Sequence, residues 1–168
     1  AQARIGLQTR QRRGLQELVD SVPASRRNDP GFAYDRAQYR RRTGRPEEAM
    51  PIAAEIDARQ APMIARDDIF RERRLYVPRA MRAGQHRLAY NLVSNHGLTS
   101  GESFADAEWL SGWLQLRFLS NPQRAAEHFS HLSENVSAPV SRARALYWRA
   151  EAAAAELLEH AATASQLP

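Results

Sequence analysis

The chain contains no cysteine and no lysine among its 168 residues. Without cysteine it has no disulfide framework, no thiolate metal site and no cysteine nucleophile. Zero cysteine suits an oxidising compartment. Without lysine, all 24 cationic side chains are arginines, a bias that fits a GC-rich genome better than selection for bidentate anion binding. No apolar run approaches ~18 residues, so no helix is expected to cross a membrane. Eight glycines and nine prolines are too few for a fibrous or low-complexity chain. β-Branched residues are sparse and no segment alternates strictly between apolar and polar, which leaves no candidate strand. The first residue is Ala1 and no signal-like apolar stretch follows, so the sequence reads as a processed chain or an excised fragment.

The length suits one domain, or a piece of a larger one, able to bury roughly two-thirds of its unfolded surface. The net charge of +5 is unevenly spread. Residues 1–87 carry 19 arginines against 11 acids, and residues 88–168 carry 5 against 8. A basic half can meet nucleic acid, an anionic polymer or an acidic partner, and it can equally be a set of solvated helix faces.

Helix punctuation is frequent. Asp29-Pro30 reads as an N-cap followed by proline at the first helical position. Gly44 stops that helix, and Pro46 opens another whose Ala49, Ile52, Ala53 and Ile56 form an i, i+3, i+4, i+7 stripe. A longer helix over 67–82 is expected to kink or break near Val77 because of Pro78, and Asp67-Asp68 would lie in its first turn. Leu88, Ala89, Leu92 and Val93 share one side of the next helix. Ser103 and Asp106 resemble a capping box ahead of the most apolar helix, which carries Trp109, Trp113, Leu114 and Phe118 on more than one face. Asn121-Pro122 caps a further helix, Pro139 opens a last long one, and a tail over 160–168 is expected to fray.

Three helix starts look alike: Gly44 to Ala49, Gly84 to Ala89, and Asn121 to Ala126. Each has a turn residue, several mostly polar residues, then alanine, and Gly14 marks a degenerate earlier copy. A small residue at the same point of each second helix would let paired helices approach closely. Spacings near 40 residues are the mark of helical hairpin arrays. The expected fold is all-α: an α-solenoid of antiparallel helix pairs, a TPR-like superhelix. Residues 1–168 would form a single helical-repeat domain, part of a larger superhelix. A closed four-helix bundle is the alternative; its helices would be more equal in length and lack the period.

Candidate chemistry is thin. Glu102-Ser103 precedes a helix, where serine caps and glutamate favours the dipole, so it reads as capping and not as a catalytic acid. His128 and His131, with Glu127, have a spacing that can hold a metal on a helix, but two imidazoles without a third ligand nearby usually lie on the surface. No glycine-rich phosphate loop is present. Arginine clusters with interleaved aromatics occur at Arg10–Arg13, Arg40–Arg42 and Arg71–Arg74. Consecutive helical residues point about 100° apart, so only some can line one groove. The candidate anionic-ligand or partner contacts are Arg12, Arg13, Arg40, Arg41, Arg71 and Arg74. Solvated faces and ion pairs between repeats are the alternative for the same residues, and nucleic acid is the least favoured partner.

The stretch from Asp29 to Met50, DPGFAYDRAQYRRRTGRPEEAM, resembles the helical region of the soluble lytic murein transglycosylases of proteobacteria. The resemblance strengthens from Ala89, through Ser94–Gly97, Phe104–Leu110 and Pro139–Arg144, and covers about residues 29–155. It implies a periplasmic location and a ring-shaped or horseshoe superhelix followed by a separate lysozyme-like domain. That domain cleaves the β-1,4 bond between N-acetylmuramic acid and N-acetylglucosamine with a 1,6-anhydro product. Its catalytic glutamate would lie in that domain, so no position here inherits the role.

The expected function is therefore a non-catalytic platform that positions peptidoglycan or docks the lysozyme-like catalytic domain. No catalytic, cofactor or metal residue is assigned within the chain. The alternative is a stand-alone helical-repeat adaptor for a protein partner. Isolated repeat pieces expose an uncapped apolar end, so self-association, or dependence on a missing neighbour, is expected around the Trp109–Leu119 helix.

Overall fold

The computed structural model describes residues 1–11 and 13–164. Among them there is no strand. The elements are α1 (Gln2–Gln8), α2 (Leu15–Asp20), α3 (Ala24–Arg27), α4 (Pro30–Arg42), α5 (Pro46–Ala54), a 3-10 turn (Ala58–Gln60), α6 (Met63–Arg74), α7 (Val77–Arg82), α8 (His86–Val93), α9 (Gly101–Phe118), α10 (Pro122–Asn135) and α11 (Pro139–Ala164). The protein is all-α. Among the described residues no helix is long and apolar enough to cross a membrane. Where the sequence reading has one helical-repeat domain over 1–168, the chain divides into two compact units, Ala1–Gly97 and Leu98–Pro168.

Local chemistry sets the helix boundaries. The Asp29 carboxylate accepts the Phe32 amide at 2.9 Å, and the Asn121 side chain accepts the Arg124 amide at 2.9 Å. Each satisfies a donor that the first turn leaves orphaned, and Pro30 and Pro122 fill first positions that need no donor. The pairs α4/α5, α7/α8, α9/α10 and α10/α11 are each joined by three residues and pack against each other. Such short connections turn the chain back on itself as helical hairpins. In the first two, Gly44 and Gly84 take left-handed backbone at φ 80° and 68°. The next amide then reaches back to the helix: Arg45 to the Arg40 carbonyl at 2.8 Å and Gln85 to the Ala80 carbonyl at 2.9 Å. Both are Schellman closures.

Of the recurrent alanines, Ala49 and Ala89 are fully buried, whereas Ala126 is half-buried and its neighbour Ala125 takes the fully buried place in α10. In the first unit Ala33 of α4 and Ile56, just past the end of α5, join a core completed by Ala58, Ala61 and Ile69. The expected helix over 67–82 begins earlier, at Met63, and breaks at Leu75–Tyr76, ahead of Pro78. Asp67 and Asp68 therefore lie beyond the first turn of α6, and Asp67 pairs with Arg71 one turn on at 2.7 Å instead of serving the helix dipole. Arg4 in α1 holds Asp35 in α4 at 2.5 Å.

Among the described residues the second unit has three helices, α9, α10 and α11. Phe104 and Leu132 join Ala145 in one core cluster, and Ala125 and Phe129 join Ala152 in another. A fully buried leucine or phenylalanine contributes about 1.5–3 kcal/mol. All three tryptophans sit here: Trp109 stacks on Trp113 at 5.9 Å and meets Trp148 edge-on at 5.9 Å. Helix α9 starts at Gly101, before Ser103, so the Ser103–Asp106 capping box is not formed; Gly101 turns the chain in with φ 87°. Helix α11 continues through Ala164, past the point where the tail is expected to fray; residues 165–168 lie outside the described residues.

Candidate functional site

The second unit carries a cleft of about 480 Å³ between the start of α9 and the α10–α11 turn. Glu102, Asp106 and Trp109 come from α9, at i, i+4 and i+7, so one helix face carries them. Asn135, Ser137 and Ser141 come from the α10–α11 turn region, and Arg144 from the second turn of α11. The Arg144 guanidinium lies over the Trp109 ring, 4.1 Å from its centroid. The indole face thereby becomes a platform bearing a fixed positive charge. The Trp109 Nε1 donor is buried and has no acceptor among the described residues. Two carboxylates, a cation on an indole, hydroxyls and an amide make a site for a polar ligand rich in hydroxyl and amide groups. Glu102, read from sequence as a capping residue, lies on this cleft, exposed.

Beside the cleft, α10 presents His128 and His131 to a carboxylate. That carboxylate is Glu108 of α9, which is buried; Glu127, the neighbour in sequence, faces Arg124. His128 Nδ1 lies 2.7 Å and His131 Nδ1 2.8 Å from the two Glu108 oxygens. Each imidazole is placed to donate through Nδ1–H to a carboxylate oxygen at hydrogen-bond length. No group of three such side chains able to hold a metal occurs among the described residues. The arrangement fixes both ring tautomers and ties α10 to α9.

Several arginines of the first unit are held in ion pairs. Arg41 donates twice to Glu72, Arg40 pairs with Glu48, and Arg71 with Asp67. A guanidinium whose donors already meet a carboxylate offers less to an external anion. Arg13 is exposed between α1 and α2, its carbonyl accepting from Gln11 Nε2 at 2.7 Å. Arg74 is exposed near the end of α6. Arg12 lies outside the described residues. Arg73, grouped with Arg71 and Arg74 by sequence, is fully buried and points the other way. Its Nη2 donates to the carbonyls of Asn91 and, at 2.6 Å, of Ser94, at the end of α8. Burial pushes its pKa down to about 10, partly opposed by Asp57, so it stays cationic near neutrality.

A network around Glu72 closes the first unit. Burial would raise the Glu72 pKa, but the hydrogen bonds from Arg41 and Tyr76 outweigh it and hold the carboxyl below its ordinary value. The Tyr76 hydroxyl lies 2.6 Å from Glu72 Oε1 and 3.2 Å from the Ala37 carbonyl oxygen; its proton goes to the closer, charged acceptor. Burial first, and Glu72 second, raise the Tyr76 pKa.

Sequence reasoning misses the cleft because its members come from separate helices. The available signal was a pair of carboxylates, Glu102 and Asp106, one turn apart at the start of an otherwise apolar helix. It misses the Glu108 partner of the histidines for the same reason: the third group is a helix away. Compared with known proteins, the chain matches no family model, no curated protein and no solved structure.

Proposed function

We propose that this chain is a non-catalytic, helical-repeat platform that holds peptidoglycan glycan for the lysozyme-like domain of a periplasmic lytic transglycosylase. The cleft beside Trp109 carries the reading. Its guanidinium-capped indole suits a sugar face, and Glu102, Asp106 and the hydroxyls beside it suit hydroxyl and N-acetyl groups. The motifs resembling that family, at Phe104–Leu110 and Pro139–Arg144, contribute much of the same cleft. The hairpins joined by three residues, with a fully buried alanine in each second helix, support stacking of the pairs as an α-solenoid.

The test is co-sedimentation of the full chain with purified peptidoglycan sacculi, followed by analysis of soluble products. The unaltered chain pellets with the sacculi. The double variant Glu102→Gln/Asp106→Asn loses about tenfold in affinity, roughly 1.4 kcal/mol. No anhydro-muropeptide is released by either. Release by the chain alone would overturn the non-catalytic assignment. Failure of the unaltered chain to pellet would remove the glycan and leave the second reading, a stand-alone helical-repeat adaptor that binds a protein. The exposed apolar residues of α11 favour that reading.

A further inference from the structure

Helix α11 is apolar on two opposite sides. One side is covered: Ala145 and Ala152 are fully buried, and Trp148 packs with Phe129 of α10. The other side is open. Val140 is 81% exposed, Tyr147 59% and Leu157 69%. These residues fall on a strict heptad, with Val140, Ala143, Tyr147, Ala150, Ala154 and Leu157 spaced by alternating steps of three and four. All six are exposed along a 26-residue helix. A pattern of this period is what one helix needs to bury a seam against another, and among the described residues of this unit nothing covers it. Three alanines among the six let two backbones come close, which compensates for the small apolar area per residue.

The charges on α11 say what the partner is. Residues 139–150 carry Arg142, Arg144 and Arg149 and no acid; residues 151–164 carry Glu151, Glu156 and Glu159 and no arginine. A second α11 laid parallel would set like charges side by side. Laid antiparallel, it sets each basic half against an acidic one. The heptad register sharpens this. With Val140 against Leu157 of the second copy, Tyr147 meets Ala150, and Arg144 meets Glu151 at the flanking position, every contact repeated by the two-fold axis. Both flanking charges are already anchored at the edge of the seam, Arg144 on the Trp109 ring and Glu151 by Arg117 at 3.4 Å.

We infer that the open face of α11 is a self-complementary surface through which two copies of this chain pair antiparallel. The expectation from sequence placed self-association at the Trp109–Leu119 helix. In that segment Leu110, Trp113 and Leu116 are half-buried, and the more fully exposed apolar face of this unit belongs to α11.

Two experiments on the full chain test it. Sedimentation velocity over roughly 5–500 µM shows a reversible monomer–dimer equilibrium. Ala150→Glu, at the centre of the seam, weakens dimerisation more than about tenfold by burying unpaired charge. Its far-UV circular dichroism is unchanged, since Ala150 is exposed. The native chain lacks cysteine, so orientation can be read by introduced thiols. An oxidised mixture of Tyr147→Cys and Ala150→Cys chains yields the mixed disulfide. Val140→Cys chains do not cross-link to themselves, because antiparallel pairing separates the two thiols by about 25 Å at 1.5 Å per residue. A monomer throughout the range, or a dimer indifferent to Ala150→Glu, overturns the surface; efficient Val140→Cys self-linking overturns the antiparallel orientation.

Discussion

The Arg41 guanidinium donates two parallel hydrogen bonds, each 2.7 Å, to the buried carboxylate of Glu72. The pair links α4 to α6, and Tyr76 adds a third donor. Because the folded Glu72 pKa is held below its ordinary value, its contribution to stability is present above the ordinary carboxylate range. It is lost as pH falls through the folded value. Asp57 behaves alike: the Arg59 side chain, against the opposing effect of burial, holds it down to about 2, although this pair is largely exposed and contributes little. The expected outcome is a stability that declines below about pH 4. Glu72→Gln costs about 2–3 kcal/mol at neutral pH, because Arg41 and Tyr76 lose a charged acceptor. It also flattens the acid limb. Urea unfolding at a series of pH values measures both effects, and an unchanged slope in the variant would remove Glu72 as the titrating group.

Arg73 is the largest fully buried side chain, and it has no carboxylate at its donors. It meets the carbonyls that the end of α8 leaves orphaned, as a C-terminal cap supplied from another helix. Arg73→Met fills similar volume and relieves the burial of a charge, but strands the Asn91 and Ser94 carbonyls. Each stranded group costs about 1–3 kcal/mol, and the relief offsets part of that. A net loss of about 2 kcal/mol is expected by denaturant unfolding. Arg73→Lys should recover part of it, since both bonds come from one nitrogen, Nη2, and an ammonium carries three donors.

What was legible in the sequence was local. The Asp29 and Asn121 caps, the stops at Gly44 and Gly84, the break ahead of Pro78 and the buried alanines at 49 and 89 each follow from a few neighbouring residues. What was not legible depends on pairing between helices. Arg73 looked like its neighbours Arg71 and Arg74 until the packing of α6 against α8 turned it inward. His128 and His131 looked unpartnered because Glu108 sits on a different helix. The Ser103 box failed because Gly101, free to take positive φ, lets α9 begin two residues earlier.

Backbone conformation gives a prediction whose sign depends on residue type. Gly84 turns left-handed with nothing within 4 Å of the position a side chain would start from. Gly84→Ala therefore meets no clash and should still cost about 1 kcal/mol, from backbone strain alone. Arg10 and Ser120 hold similar conformations, φ 55° and 49°, without being glycine. Arg10→Gly and Ser120→Gly should relieve strain and leave stability equal or higher, despite the greater freedom glycine has when unfolded. Thermal midpoints of the three variants check the set; a drop of several degrees in both glycine variants would show that the turns are not strained.

Gly112 lies against Phe129 where α9 and α10 pack. A β-carbon at Gly112 would sit 2.7 Å from the Phe129 ring, well inside contact distance. Two effects oppose each other in Gly112→Ala. Alanine improves helix propensity by about 1 kcal/mol. The overlap forces the ring, which is fully buried and stacks on Trp148 at 6.1 Å, to move against a filled core. Overpacking of this kind costs about 1–3 kcal/mol, so the net change should be destabilising by up to about 2 kcal/mol. In a Phe129→Leu background the ring is gone, and the same substitution should become neutral or stabilising. The difference between the two backgrounds, read as a double-mutant cycle, isolates the contact. If Gly112→Ala stabilises both equally, helix propensity alone governs the position and the close approach of α9 to α10 does not depend on the glycine.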